Sequence, residues 1–293
     1  MVTGLDSCVQ LEATTCELNA AGGLLAEAGG QMFLEKANVL RNGGPGVVAR
    51  GRGTRLLMLS SCVQGNEGDG VRVSFDTAAG SKTRDVTSLN ALGAARNDAM
   101  MQMKGWTLVP HARQRAGHGG GGGGAGGVSV EISDGKIARN RGVGVRVEQA
   151  MAGCKLRRCR IEHNNSDGVR AENGGEAKVF DSRIEGNGLS GARAHGRAAR
   201  CLLASTSLVS NAVGASAEGA ELRMFMCKMA GNRNGEVERS NGGVVVEEKT
   251  VEGEGQWVED VGGMPPRFHA ELPWLAKLRD KLKTNTLRTW RGF

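Results

Sequence analysis

The chain has no tyrosine, and aromatic residues make up 3% of its 293 residues. Its interior must be filled by Val, Ala, Leu, Ile, Met and Cys, which suits a narrow core. No apolar stretch is long enough to span a bilayer, and no cationic N-terminal segment followed by an apolar run marks a leader peptide. A reducing, intracellular compartment is the expectation, and the odd number of cysteines, seven, agrees with it. The six-glycine run at 119–124 is not followed by Gly-Lys-Ser/Thr, so a phosphate-cradling loop finds no support there. What the chain does have is a period.

Asparagine returns every 23 or 24 residues over most of the sequence, at Asn42, Asn66, Asn140, Asn164, Asn187, Asn211 and Asn232, with one longer interval and a last one of 21. Three residues before each lies an apolar residue: Val39, Val63, Ile137, Ile161, Ile184, Leu208 or Met229. Five residues earlier still, Leu34, Met58, Ile132, Leu156, Val179, Leu203 and Met224 recur in the same frame. After each of the first six Asn comes a Gly and, in most copies, a short alternating segment, such as Val145-Arg146-Val147, Val169-Arg170-Ala171 and Ala192-Arg193-Ala194. Alternation with a period of two marks strands with one face in and one out. Each period therefore holds two or three short strands separated by Gly and Asn turns, with no room for a helix.

A unit this short cannot bury a core alone, so copies must stack. Helical solenoids need longer repeats, and leucine-rich repeats need a denser Leu frame. A parallel β-helix remains, an all-β single-stranded solenoid of about nine coils. Equivalent residues then lie about 4.8 Å apart on successive coils, and the Asn column becomes a ladder, because Asn tolerates the left-handed backbone of a turn and its amide can donate to one coil and accept from the next. Cys154 and Cys201 fall in one register two coils apart, about 9.6 Å from the strand spacing, beyond disulfide reach. Cys159 and Cys227 share another register three coils apart. Cys154, Cys159 and His163 spell C-x4-C-x3-H, but a metal would have to pull both thiols out of apolar columns and lacks a fourth ligand. Neither a metal nor any other cofactor is expected.

The frame, the Asn ladder and the G-V-x-V strands resemble the right-handed parallel β-helix proteins of the pectin-lyase-like superfamily, over roughly residues 23 to 246. The resemblance implies right-handed coiling, which periodicity alone does not fix. That superfamily holds uronate lyases, polysaccharide hydrolases and epimerases, and also non-catalytic β-helix regions such as those attached to F-box proteins. Its catalytic signatures do not transfer. Gly117-His118-Gly119 spells the G-H-G of polygalacturonase-like hydrolases, but no paired-Asp motif or R-I-K accompanies it. No D-P-H of alginate epimerases is present, tyrosine is missing, and no acidic cluster looks like a lyase calcium site.

The repeat assigns residues 1–250 to a β-helix domain. The interval between Asn66 and Asn140 is read as a weak coil at Asn90, where Thr87 takes the apolar position, plus insertions at about 94–104 and 110–127. Residues 251–293 form an acidic linker and a basic tail. Pro273 opens a short amphipathic helix bearing Trp274, Leu275, Leu278 and Leu282, expected to cap the solenoid. From residue 265 onward seven Lys/Arg face Glu271 and Asp280, so most of the net charge of +7 sits there. Nucleic-acid binding through the tail is the less favoured reading.

The candidate site is the outward face of the G-V-R-V strand. Arg146, Arg170 and Arg193 fall in one column, and Glu148, Glu172 and His195 in the next. A second outward column carries Lys136, Arg160, Arg183 and Lys228, beside Glu162 and Glu185. Stacked cations can clamp a polyanion, and a Glu beside each Arg can instead neutralise it into a solvated lattice. Glu148 and Glu172 reach the spacing of a retaining glycosidase pair, but any repeated Glu in a solenoid does so. Arg158, in register between Asp134 and Asp181, should keep both ionised. The sequence thus favours a non-catalytic scaffold that binds a protein or an acidic polysaccharide along this face. The alternative is a uronate lyase, hydrolase or epimerase.

Overall fold

A computed structural model describes residues 1–4, 7–75 and 126–248, and every regular element among them is a β-strand. The strands form three parallel sheets in which the chain visits sheet A, then B, then C on each coil. Among the described residues sheets A and B have nine strands each and sheet C has eight. All of them lie in the compact unit Met1–Thr250. No helix among the described residues is long and apolar enough to cross a membrane.

Register turns the sequence period into columns. On sheet B, Met58, Ile132, Leu156, Val179, Leu203 and Met224 stack in order. On sheet C the column is Val63, Ile137, Ile161, Ile184, Leu208 and Met229. On sheet A it is Val71, Val145, Val169, Ala192 and Ala215. These columns meet in one core in which nearly every member is fully buried. All seven cysteines are free thiols, and Cys154, Cys159 and Cys201 are buried in or beside the columns. Burial pushes the Cys159 thiol up to about 11 and the Cys201 thiol to about 12, as expected of inert core residues.

The Asn ladder runs along the corner between sheets C and A. Asn164 Nδ2 donates to Asn187 Oδ1 at 3.0 Å and to the Ile137 carbonyl at 3.3 Å, and the Asn164 backbone N–H donates to the same Asn187 oxygen. The pattern repeats through Asn211 and Asn232 above, and through Asn140, Asn66 and Asn42 below. Three details depart from the sequence reading. Asn19 is a further rung, donating to Asn42 Oδ1 at 2.8 Å. Asn66 bonds directly to Asn140, so no rung stands between those two, and Asn90 lies outside the described residues. The left-handed backbone belongs to the residue before each Asn, as at Arg139 (φ 54°) and His163 (φ 57°), not to the Asn itself. The Asn is there for its amide.

One glycine column is imposed by that corner. A Cβ on Gly168 would stand 2.5 Å from Ile184 Cγ2, 2.6 Å from the Gly191 carbonyl oxygen and 2.9 Å from Asn187 Nδ2. Asn and Gly are thus one device, the Gly making space for the amide of the next coil. The insertion at 94–104, most of that at 110–127 and the whole 251–293 tail with its helix lie outside the described residues.

Candidate functional site

The six candidate residues do come together on the outer face of sheet A. Arg72, Arg146, Arg170 and Arg193 occupy one register, and Ser74, Glu148, Glu172, His195 and Glu218 the register two residues on. Strands Val145–Glu148, Val169–Glu172 and Ser190–His195 present them, because their Val and Ala positions point into the core.

This face is half-buried and densely paired. Arg72 Nη2 donates to Glu148 Oε2 at 2.9 Å. Arg146 lies 3.3 Å from Glu148 Oε1 and 3.7 Å from Glu172 Oε1, and its Nε is 3.2 Å from Asp69 Oδ2. Arg170 Nε donates to Asp167 Oδ2 at 2.6 Å. Arg193 Nη2 donates to Glu218 Oε2 at 2.5 Å, and His195 Nδ1 is 2.9 Å from that same oxygen.

Asp69 and Asp167 were not among the candidates, yet they anchor the arrangement. Each turns one oxygen to a backbone N–H of the next coil, Val143 at 2.9 Å and Ser190 at 2.8 Å, and the other to an arginine. Asp167 is fully buried. Their place just before the Gly that opens each sheet A strand is the one sequence signal that could have exposed them.

The two glutamates are in hydrogen-bond contact with each other and shift in opposite directions. Burial, then the hydrogen bond to Glu148, raise the Glu172 carboxyl above the ordinary glutamate value. Burial pushes Glu148 the same way, but the Arg72 hydrogen bond and charge outweigh it and leave Glu148 below that value. Of the two, Glu172 is thus the readier to hold a proton and Glu148 the readier to stay ionised. Repetition alone does not produce this asymmetry; it arises because Arg72 bonds only one of the two.

The second cationic column, on sheet C, is built differently. Lys136 Nζ and Arg160 Nη2 share one carboxylate, Glu162, at 2.7 and 3.0 Å, and Arg183 Nε holds Glu185 at 2.6 Å. Arg158 pairs with Asp134 at 2.7 and 2.8 Å, in the register the sequence gives. On sheet B, burial pulls Lys155 below the ordinary lysine value, 3.8 Å from Glu131. Among the described residues no group of three or more His, Cys, Asp or Glu converges as a metal site. Cys154 and Cys159 lie buried while His163 is exposed in its turn.

Comparison with known proteins adds to this geometry. The family model described as a right handed beta helix region matches residues 115–256. The protein is a right-handed parallel β-helix. No curated protein matches the chain. Among solved structures, this β-helix is similar to the A-module of mannuronan C-5 epimerase AlgE4 of Azotobacter vinelandii, at 12% identity and a TM-score of 0.51, over 86% of this chain and 58% of that one. The AlgE6 A-module of the same organism matches at 12% identity and a TM-score of 0.48, over 84% of this chain and 58% of that one. The chain spans somewhat over half the length of these structures. At such identities the likeness concerns the fold, a fold that this β-helix shares with polysaccharide-active enzymes.

Proposed function

We propose that the protein acts on an acidic polysaccharide laid along sheet A, transferring protons in a lyase-type reaction. The observation that carries this reading is the Glu148–Glu172 pair, two touching carboxyls whose environments push their protonation apart. Glu172 is the proton donor and Glu148 the carboxylate that keeps it poised. His195, one coil on, is fixed at Nδ1 by Glu218 and offers Nε2 as proton acceptor. Arg146, Arg170 and Arg193, each braced by a carboxylate, supply fixed positive charge beside the uronate carboxylate as its neighbouring C–H is deprotonated.

Contact between the carboxyls weighs against hydrolysis. Retaining glycosidases separate theirs by about 5–5.5 Å and inverting ones by about 6.5–9.5 Å, leaving space for the sugar carbon or a water. Donor and acceptor also stand side by side on one flat face. Elimination can use such a one-sided approach, whereas epimerisation needs proton transfer on both faces of the sugar.

The test is incubation with pectate and alginate, with unsaturated ends, reducing ends and epimerised product all measured. Unsaturated ends are expected from the native protein and at least about a hundredfold fewer from Glu172→Gln or His195→Gln, with the fold intact by circular dichroism. No change in any polymer would reject the reading for those substrates. A second reading is favoured by the pairing of every arginine on the face: a non-catalytic scaffold binding a protein or an acidic polymer. It predicts binding without product, lost when Arg146, Arg170 and Arg193 are replaced together by Gln.

A further inference from the structure

Charge is distributed unequally over the two polar faces, and this points to a ligand track that the sheet A chemistry does not use. On sheet A, Arg72, Arg146, Arg170 and Arg193 meet five carboxylates, Asp69, Glu148, Asp167, Glu172 and Glu218. Carboxylates therefore outnumber the arginines of that face. Sheet C runs the other way. Lys136, Arg139, Arg160, Arg183 and Lys228 lie on it or in its following turn, with Glu162 and Glu185 between them. Even with the B/C corner included, where Asp134 and Asp181 flank Arg158, positive charge exceeds negative.

The excess is accessible. The Lys136, Arg160 and Arg183 side chains are 45%, 63% and 50% exposed. Arg139 and Lys228 are exposed and have no ion-pair partner among the described residues. Lys136, Arg160 and Arg183 stand in one register on three successive coils, so their stems rise about 4.8 Å apart in a straight row along the solenoid.

We propose that this row is a binding track for a linear acidic polysaccharide, separate from the sheet A site. A polyuronate carries one carboxylate per sugar, and one sugar advances by roughly one coil, so successive charges can meet successive cations. Among the described residues the sheet C strands contain no Phe, Trp or Tyr, and single-stranded nucleic acid depends on such platforms for stacking. A carbohydrate polyanion is thus the better fit. The kind of ligand is borrowed from the polysaccharide reading above; the track itself needs no catalysis.

Binding of polygalacturonate and alginate to the full chain at low and raised salt tests the proposal, with neutral dextran and single-stranded poly(dT) as controls. Native protein should bind both polyuronates, with affinity falling as salt rises. Replacing Lys136, Arg139, Arg160 and Arg183 together by Gln should weaken binding at least about tenfold without lowering the thermal midpoint. Glu162→Gln, which frees Lys136 and Arg160 from their shared carboxylate, should tighten it. Unchanged binding in the quadruple variant, no tightening in Glu162→Gln, no polyuronate binding at low salt, or tighter binding of poly(dT) would each overturn the track. Binding without product from the native protein would leave the track standing and remove the lyase reading instead.

Discussion

On sheet A, Arg72, Arg146, Arg170 and Arg193 each have a carboxylate within their own lattice, and on sheet C the cations outnumber their partners. Both faces obey the same stacking rule, so the difference lies in what borders the strand. Sheet A strands are four to six residues long through the central coils, and put Arg and Glu columns side by side. Asp69 and Asp167 enter from the preceding turn. Sheet C strands have three residues, with the central one in the core, so there is space for one cation column and one short carboxylate column. A half-buried face must balance its charge because unpaired charge is costly out of water. An exposed face need not.

Both faces hang on the ladder between them, so removing a rung should affect them together and most severely. Asn187→Ala leaves the Asn164 backbone N–H without its acceptor and removes the side-chain amide bonds to Asn164, the Ile161 carbonyl and Asn211 Oδ1 in a fully buried corner. A loss of about 3 kcal/mol or more in urea unfolding is expected. A loss under about 1 kcal/mol would mean that the apolar columns, not the amides, set the register.

The next contrast separates the faces. Asp167→Ala removes a fully buried carboxylate, leaves Arg170, which is 18% exposed, only its longer contacts to Ser166 and Glu172, and orphans the Ser190 N–H. The expected loss is about 3 kcal/mol, in the range for a broken buried pair. Glu185→Ala removes the partner of Arg183 on sheet C and should not shift the denaturation midpoint measurably. Equal effects at the two sites would show that burial does not distinguish the faces.

The columns were legible because a 23- or 24-residue period and a strand spacing are enough to place residues above one another. Thus Arg146, Arg170 and Arg193, or Ile137, Ile161 and Ile184, need no side-chain geometry to be aligned. Local look-alikes were the weak point. Asn90 keeps the interval but not the apolar residue before it, and Asn66 passes over it to Asn140. Asn19 kept both interval and frame, with Cys16 three residues before it, and was still overlooked. Pairing on sheet A was not legible, although register did place Arg158 beside Asp134. Arg72 chooses Glu148 on the next coil, while Arg170 turns back to Asp167 three residues earlier. Side-chain torsions decide that choice, and no sequence spacing encodes them. The asymmetric protonation of Glu148 and Glu172 follows from it, so the candidate site was visible as a place but not as chemistry.

The smallest effect tests that asymmetry directly. Glu172, raised by burial and by Glu148, contributes stability that is fully present at low pH and is lost as pH rises through its own folded-state value. Glu148, lowered by Arg72 despite its burial, contributes stability present above the ordinary glutamate range and lost as pH falls through its folded-state value. Glu172→Gln keeps a neutral donor to Glu148 but cannot ionise, so it should escape only the first of these losses. Its stability relative to the native protein should therefore climb as pH rises above the ordinary glutamate value, read as a growing difference in urea midpoint. Glu162→Gln, at a sheet C carboxylate that Lys136 holds below its ordinary value, should show the opposite trend, falling behind the native protein as pH rises from the acid side. Parallel curves for Glu172→Gln and native protein would mean that Glu172 is not raised and leave sheet A an ordinary ionic lattice.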